Sequence, residues 1–188
     1  MKVKKMLQNN VYIILGQRWS WKSLFASCIA RDYKEVFVNY QLKIPGVKVN
    51  IFREYEFLRS LKYKEEKRLI ILDEWGINFN SREFQRQENK MIGKLLFVSR
   101  KYNFDFIFIS QYDFTLDKYI RYSADWLFFL KKRFIWKEYW IEINKYKVDN
   151  KTGKDVFVDS YLFNGLKYME KYNIWYDTRD LATLSSDN

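Results

Sequence analysis

The octapeptide "GQRWSWKS" (residues 16–23) follows the apolar run "VYIIL" and precedes "LFASCIA", whose apolar positions have helical spacing. A short, continuous run rich in β-branched residues reads as a strand buried on both faces, so the segment predicts strand, loop and helix. The phosphate-loop pattern is Gly, four free positions, Gly, Lys and then Ser or Thr, set between a strand and a helix. Gly16, Lys22 and Ser23 fit it, whereas Trp21 stands where the second glycine belongs. In such a loop, backbone N–H groups and a helix N-terminus surround phosphates, the Lys neutralises them and the hydroxyl binds magnesium. None of these tasks needs the side chain at position 21. What glycine supplies there is freedom at positive φ, and a bulky residue holding the same backbone costs on the order of 1–3 kcal/mol. The expected cradle is therefore Gly16, Gln17, Arg18, Trp19, Ser20, Trp21, Lys22 and Ser23. Weaker or slower nucleotide use is the expected consequence of Trp21, and a strand–turn–helix without a ligand is the alternative.

Two further segments bear on the choice. "RLIILDE" (68–74) is an apolar strand that ends in two carboxylates, the second signature of a phosphate-loop ATPase. There the strand delivers Asp73 toward a magnesium ion and Glu74 toward a water; otherwise it is a strand ending in two solvated acids. "FDFIFISQ" (104–111) is a buried strand ending in Ser110 and Gln111, at the edge where parallel sheets place their ligands. A Gln at that point can orient water or sense a γ-phosphate.

The rest of the chain fits an α/β fold. "EVFVNY" (35–40) and "DWLFFLKK" (125–132) read as strands, "REYEFLRSL" (53–61) as a short helix and "REFQRQENKMIGKLLFVSRKY" (82–102) as a long one. Strands alternating with helices predict a mostly parallel central sheet. The final third alternates apolar and polar residues in "FIWKEYWIEINKYKV" and "DVFVDSYLF", with "DNKTGK" between them as a turn, so an antiparallel β-hairpin is expected over about 133–163. A short helix "GLKYMEKY" and a polar tail, 181–188, follow.

The chain has 188 residues, within the range of one domain, and is 48% hydrophobic, which excludes a disordered protein. Residues 1–180 are expected to form one unit. Apolar runs such as "WLFFL" fall far short of the roughly 20 residues that span a bilayer, and "MKVKKMLQNN" has no signal-like region, so a soluble intracellular protein is expected. One cysteine and no histidine leave oxygen ligands for any metal, which points to magnesium. A net charge of +11, spread along the chain, favours contact with a polyanion such as nucleic acid.

With these segments in order, the chain resembles the additional-strand P-loop ATPases of the FtsK/HerA clan, in particular small viral genome-packaging ATPases and Zot-like proteins of filamentous phages. The resemblance rests on "GQRWSWKS", "RLIILDEWGINFNSR", "LLFVSRKYNFDFIFISQ", "LDKYIRYSADWLFFL" and "YDTRD" and spans about residues 10–180. It implies a RecA-like sheet flanked by helices, ATP and Mg2+ as ligands, Lys22 on the phosphates, Ser23 and Asp73 on magnesium, Glu74 as catalytic base and Gln111 as sensor. It also implies an arginine finger, Arg121 first and Arg100 second, and hence a homo-oligomeric ring, a hexamer by resemblance.

The function so implied is an ATP-driven translocase of double-stranded DNA that packages a viral genome, with a capsid protein as partner, in the host cytoplasm or with the virion. Zot-like proteins carry a membrane span after the ATPase domain, and its absence from this sequence favours the packaging reading. A Zot-like assembly ATPase and a degenerate nucleotide- or DNA-binding module without turnover are the alternatives. A P-loop kinase fits less well, since no arginine-rich lid is evident. Two regions could face DNA: the segment 74–90 with Trp75, Phe79, Arg82 and Arg86, and the basic hairpin with Lys131, Lys132, Arg133, Lys137, Lys145 and Lys147. Their bland readings are a surface loop and an edge strand guarded by lysines.

Overall fold

The computed structural model describes residues 11–53, 62–74, 96, 101–111, 118–149, 152 and 154–177. Its centre is an eight-stranded sheet in the order β4-β2-β5-β6-β1-β7-β8-β9. The strands are β1 (Val11–Leu15), β2 (Glu35–Val38), β3 (Gln41–Lys43), β4 (Lys48–Ile51), β5 (Arg68–Leu72), β6 (Phe104–Ser110), β7 (Trp126–Ile135), β8 (Glu138–Val148), β9 (Asp155–Phe163) and β10 (Trp175–Asp177). Helices α1 (Lys22–Ala30), α2 (Lys118–Ser123) and α3 (Gly165–Tyr172) complete the described elements. From β4 to β7 neighbouring strands are parallel, and β7, β8 and β9 continue the sheet as an antiparallel meander. Strands β3 and β10 pair antiparallel as a separate small sheet.

The parallel part is apolar on both faces. Tyr12 and Ile14 of β1 enter one core cluster with Leu24, Phe25, Cys28 and Ile29 of α1. Val11, Ile13 and Leu15 enter the other, with Ile70, Leu72, Phe106 and Phe108. Alternate side chains of one strand thus serve two cores, which is why "VYIIL" and "LIIL" show no polar alternation. Helix α3 docks on α1 at Gly165, where a Cβ would lie 2.2 Å from Leu24 Cδ2. A larger residue there would require the Leu24 side chain to shift.

The expected parallel α/β architecture is present, and α3 spans the same residues as "GLKYMEKY". The hairpin expected over 133–163 is present as β8 and β9, and β7 extends it to a three-stranded meander. β7 runs on to Ile135 and turns back at Trp136 and Lys137, and a second turn joins β8 to β9. Trp136 (φ 53) and Lys137 (φ 62) are both left-handed, the geometry of a two-residue hairpin turn that favours Asn-Gly. Without those residues the turn left no mark in the sequence. Strands β3, β4 and β10 were likewise not expected, being three or four residues long with little apolar patterning. The expected helix over 53–61 lies almost wholly outside the described residues. Of the one over 82–102, positions 96, 101 and 102 are described and helical.

Candidate nucleotide-binding site

The loop 16–21 leaves the C-terminal end of β1 and enters α1. Ser20 N donates to Gln17 O (3.1 Å), closing a turn, and Phe25 N to Trp21 O (3.0 Å) begins the helical ladder. Trp21 is the N-cap residue and supplies no side-chain cap, so the first N–H groups of α1 have no side-chain acceptor from it. Gly16 is held by close approach: a Cβ there would lie 2.5 Å from both Ser20 Oγ and Leu130 O.

Trp21 is accommodated at the glycine position of the loop. Its φ of 61° and ψ of 36° are left-handed, so the backbone keeps the conformation for which glycine is usual. The indole is taken up by the β7–β8 hairpin: it meets the Tyr139 ring edge-on, and Lys132 Nζ lies 4.7 Å from its centroid. Packing of this kind offsets a left-handed cost of about 1–2 kcal/mol. Trp19 is also left-handed (φ 67°) and is exposed, with Arg18 over its ring.

Lys22 points back along the loop, donating to Gly16 O (2.9 Å) and Gln17 O (3.0 Å). Burial lowers its pKa, while Asp73 and Glu74 act in the opposite direction. Ser23 Oγ donates to Asp73 Oδ2. Burial pushes the Asp73 carboxyl up to about 6, against the hydrogen bonds from Ser23 and from Glu74 N. Gln111 Nε2 donates to Glu74 Oε1 (3.2 Å). Lys22, Ser23, Asp73, Glu74 and Gln111, far apart in sequence, therefore converge at one end of the sheet.

The strand order explains the convergence. β6 lies between β1 and β5, so Gln111, just past its end, stands between the loop after β1 and the acidic pair. In a parallel sheet all three strands end on the same edge.

Asn39, just beyond β2, was not singled out in the sequence. Its Oδ1 accepts from Asp73 N (2.8 Å) and its Nδ2 donates to Asp73 O (2.9 Å), fixing the backbone of the carboxylate. The signal was available: "EVFVNY" ends, like "FDFIFISQ", in a polar residue at the ligand edge. Ser27 Oγ donates to Ser23 O (2.7 Å) and meets Tyr40 Oη at 3.0 Å, bracing the first turn of α1 from within.

Arg121 is not brought to this cluster. It sits on α2 and pairs with Asp155. Asp125 N bonds Val11 O and Val148 N bonds Asp125 O, which places that ion pair at the end of the sheet opposite the phosphate loop. Arg100, Trp75, Phe79, Arg82 and Arg86 lie outside the described residues. Beside Trp21 a cleft of about 400 Å³ opens, lined by Leu24, Leu166, Met169, Trp175, Tyr176 and Asp177.

The residues present fit a nucleotide with magnesium. Ser23 and Asp73 are adjacent oxygen donors of the hard type magnesium takes. The Gly16 cradle admits no Cβ, and an ammonium stands within the loop.

No family model matches the sequence, and no curated protein matches it. Among solved structures, it is similar to the N-terminal domain of zonular occludens toxin from Neisseria meningitidis, at 13% identity and a TM-score of 0.54, covering 87% of this chain and 98% of that one. It is similar also to the genome packaging NTPase from Sulfolobus turreted icosahedral virus 2 in complex with AMP, at 12% identity and a TM-score of 0.56, covering 82% and 98%. A KaiC-like protein from Pyrococcus horikoshii aligns at 12% identity with a TM-score of 0.50, covering 80% and 89%. With β6 inserted between β1 and the acidic strand β5, the chain has a RecA-like α/β fold.

Proposed function

We propose that the protein hydrolyses ATP and uses the energy to move double-stranded DNA, as a genome-packaging motor of viral type. One observation carries the catalytic part: Ser23 bonded to Asp73, beside Lys22 in the loop and Glu74 bonded to Gln111. In this reading Lys22 exchanges its two carbonyl partners for phosphate oxygens, and the N-terminus of α1 meets the phosphates. Ser23 and Asp73 would hold magnesium, which would supply positive charge to offset that of the phosphates. Glu74 takes the proton of the attacking water, and Gln111 orients that water once its bond to Glu74 opens. In this reading the nucleoside end of the ligand enters the cleft lined by Trp175 and Tyr176.

The DNA part is supported by the net charge of +11 and by the likeness to a viral packaging NTPase. One unit over residues 1–180, a homo-oligomeric ring and a capsid partner belong to the same proposal. In such a ring Arg121, remote from its own subunit's loop, could serve as a finger only toward a neighbouring site. The outward packing of the Trp21 indole counts against a loop plugged by its own side chain, and so against a module without turnover.

The test is phosphate release with ATP and magnesium, with and without duplex DNA, beside Lys22→Ala and Glu74→Gln variants. Turnover that rises with DNA and is lost in both variants supports the motor. Turnover indifferent to DNA favours a Zot-like assembly ATPase. ATP binding without turnover in the wild type overturns the hydrolase.

A further inference from the structure

The β7–β8 hairpin rises beyond the sheet at the phosphate-loop end. β1 last pairs with β7 at Leu15 and Phe129, yet β7 continues through Ile135 before turning at Trp136 and Lys137. Trp136 is 92% exposed and Phe134 64% exposed, and both turn residues are left-handed. Asn-Gly would make this turn without strain, so a β-hairpin of purely structural purpose has no use for Trp-Lys here. A residue held against its backbone preference, with its large apolar face in water, points to a ligand rather than to packing.

The surroundings define that ligand. Between 131 and 139 the cations are Lys131, Lys132, Arg133 and Lys137, against the single acid Glu138. Arg133 pairs with Glu142, while Lys137 is exposed at the tip and Lys131 is exposed farther down β7. An exposed indole flanked by ammonium groups matches a polyanion with accessible flat faces, which is a nucleic-acid strand with unpaired bases. An apolar protein partner would gain nothing from the flanking charge.

The base of the arm rests on the loop. Tyr139 lies 4.9 Å from the Phe134 ring, and Lys132 Nζ stands 4.0 Å from the Tyr139 centroid and 4.7 Å from that of Trp21. The row Trp21, Lys132, Tyr139, Phe134 thus runs from the N-cap of α1 toward the tip. We infer that the β7–β8 tip is a DNA-contacting arm in which Trp136 stacks on an unpaired base while Lys137 holds the adjoining phosphate and Lys131 meets the backbone farther along the arm. The inference rests on the DNA reading above, which concerns the duplex that is moved; it names the element that touches the DNA and adds that this element engages a base left unpaired.

The test measures binding of a fluorescently labelled oligothymidylate and of a duplex by anisotropy, for wild type, Trp136→Gly and Trp136→Phe, with a fluorescent ATP analogue as a separate titration. Loss of one base stack weakens single-strand binding roughly 5- to 100-fold in Trp136→Gly, and Trp136→Phe largely restores it. Glycine suits the left-handed turn, so the thermal midpoint of Trp136→Gly stays level or rises, and ATP-analogue affinity is unchanged. Unaltered oligothymidylate binding in Trp136→Gly overturns the arm and leaves the DNA reading standing, as does a wild type that binds duplex alone. A wild type that binds neither probe overturns both. A falling midpoint, or a wild-type oligomer that Trp136→Gly dissociates, reassigns the indole to structure or to contact between copies and overturns the arm.

Discussion

The Trp21 indole and the Tyr139 ring meet edge-on, centroids 5.7 Å apart and planes at 77°. This contact joins a residue whose backbone forms the phosphate loop to a strand of the C-terminal meander. It accounts for a tryptophan at a position where the loop favours glycine: the left-handed backbone is retained, and the side chain is stabilised outside the cradle.

Substitution at Trp21 should separate these two contributions. Trp21→Ala keeps the left-handed cost and loses the packing, for a destabilisation of about 3 kcal/mol. Trp21→Gly loses the packing but sheds the backbone cost, so it should be less harmful by about 1 kcal/mol. Urea denaturation should rank wild type above Trp21→Gly above Trp21→Ala, and ATP affinity of Trp21→Gly should equal or exceed that of wild type.

Lys22→Met removes the ammonium that the loop carbonyls now hold. With magnesium and ATP in excess, the wild-type thermal midpoint should rise with the logarithm of ligand concentration, by about 3 kcal/mol of stability at a hundredfold excess over the dissociation constant. The variant should show no such rise in differential scanning fluorimetry.

Asn39→Ala leaves the buried N–H and C=O of Asp73 without their partners. The expected loss is about 2 kcal/mol in stability, since an unsatisfied buried group costs its desolvation. Because Asp73 then loses its fixed position, phosphate release at saturating ATP should fall as well. Chemical denaturation and steady-state assays read the two effects separately.

Glu35 supplies a pH-dependent term away from the site. Burial alone would raise its pKa, but Lys64 and Lys48 outweigh burial and hold it below the ordinary value of 4.5. A depressed carboxyl stabilises the fold above its unfolded pKa, and the contribution is lost as pH falls through the folded value. Glu35→Gln should therefore be less stable than wild type at pH 7 by on the order of 1 kcal/mol, with both lysines largely exposed. Denaturation curves of the two proteins should converge below the folded pKa.

The buried strands, the loop between β1 and α1 and the acidic end of β5 were legible in the order of residues. Those features are local: an apolar run without alternation needs cover on two faces, and Gly16, Lys22 and Ser23 keep a fixed spacing on one turn of chain. Gln111 was legible for the same reason, as a polar residue closing a buried strand. Tertiary structure alone decided that β6 enters between β1 and β5, bringing Gln111 to Glu74, and that Asn39 clamps Asp73 across the sheet edge. Strand order depends on which apolar faces pack together, and that is a property of the whole core. The same holds for Trp21, whose contact with Tyr139 is made across more than a hundred residues of chain. It holds too for the turn at Trp136 and Lys137, where pairing of β7 with β8 imposed a left-handed backbone on residues that do not favour it.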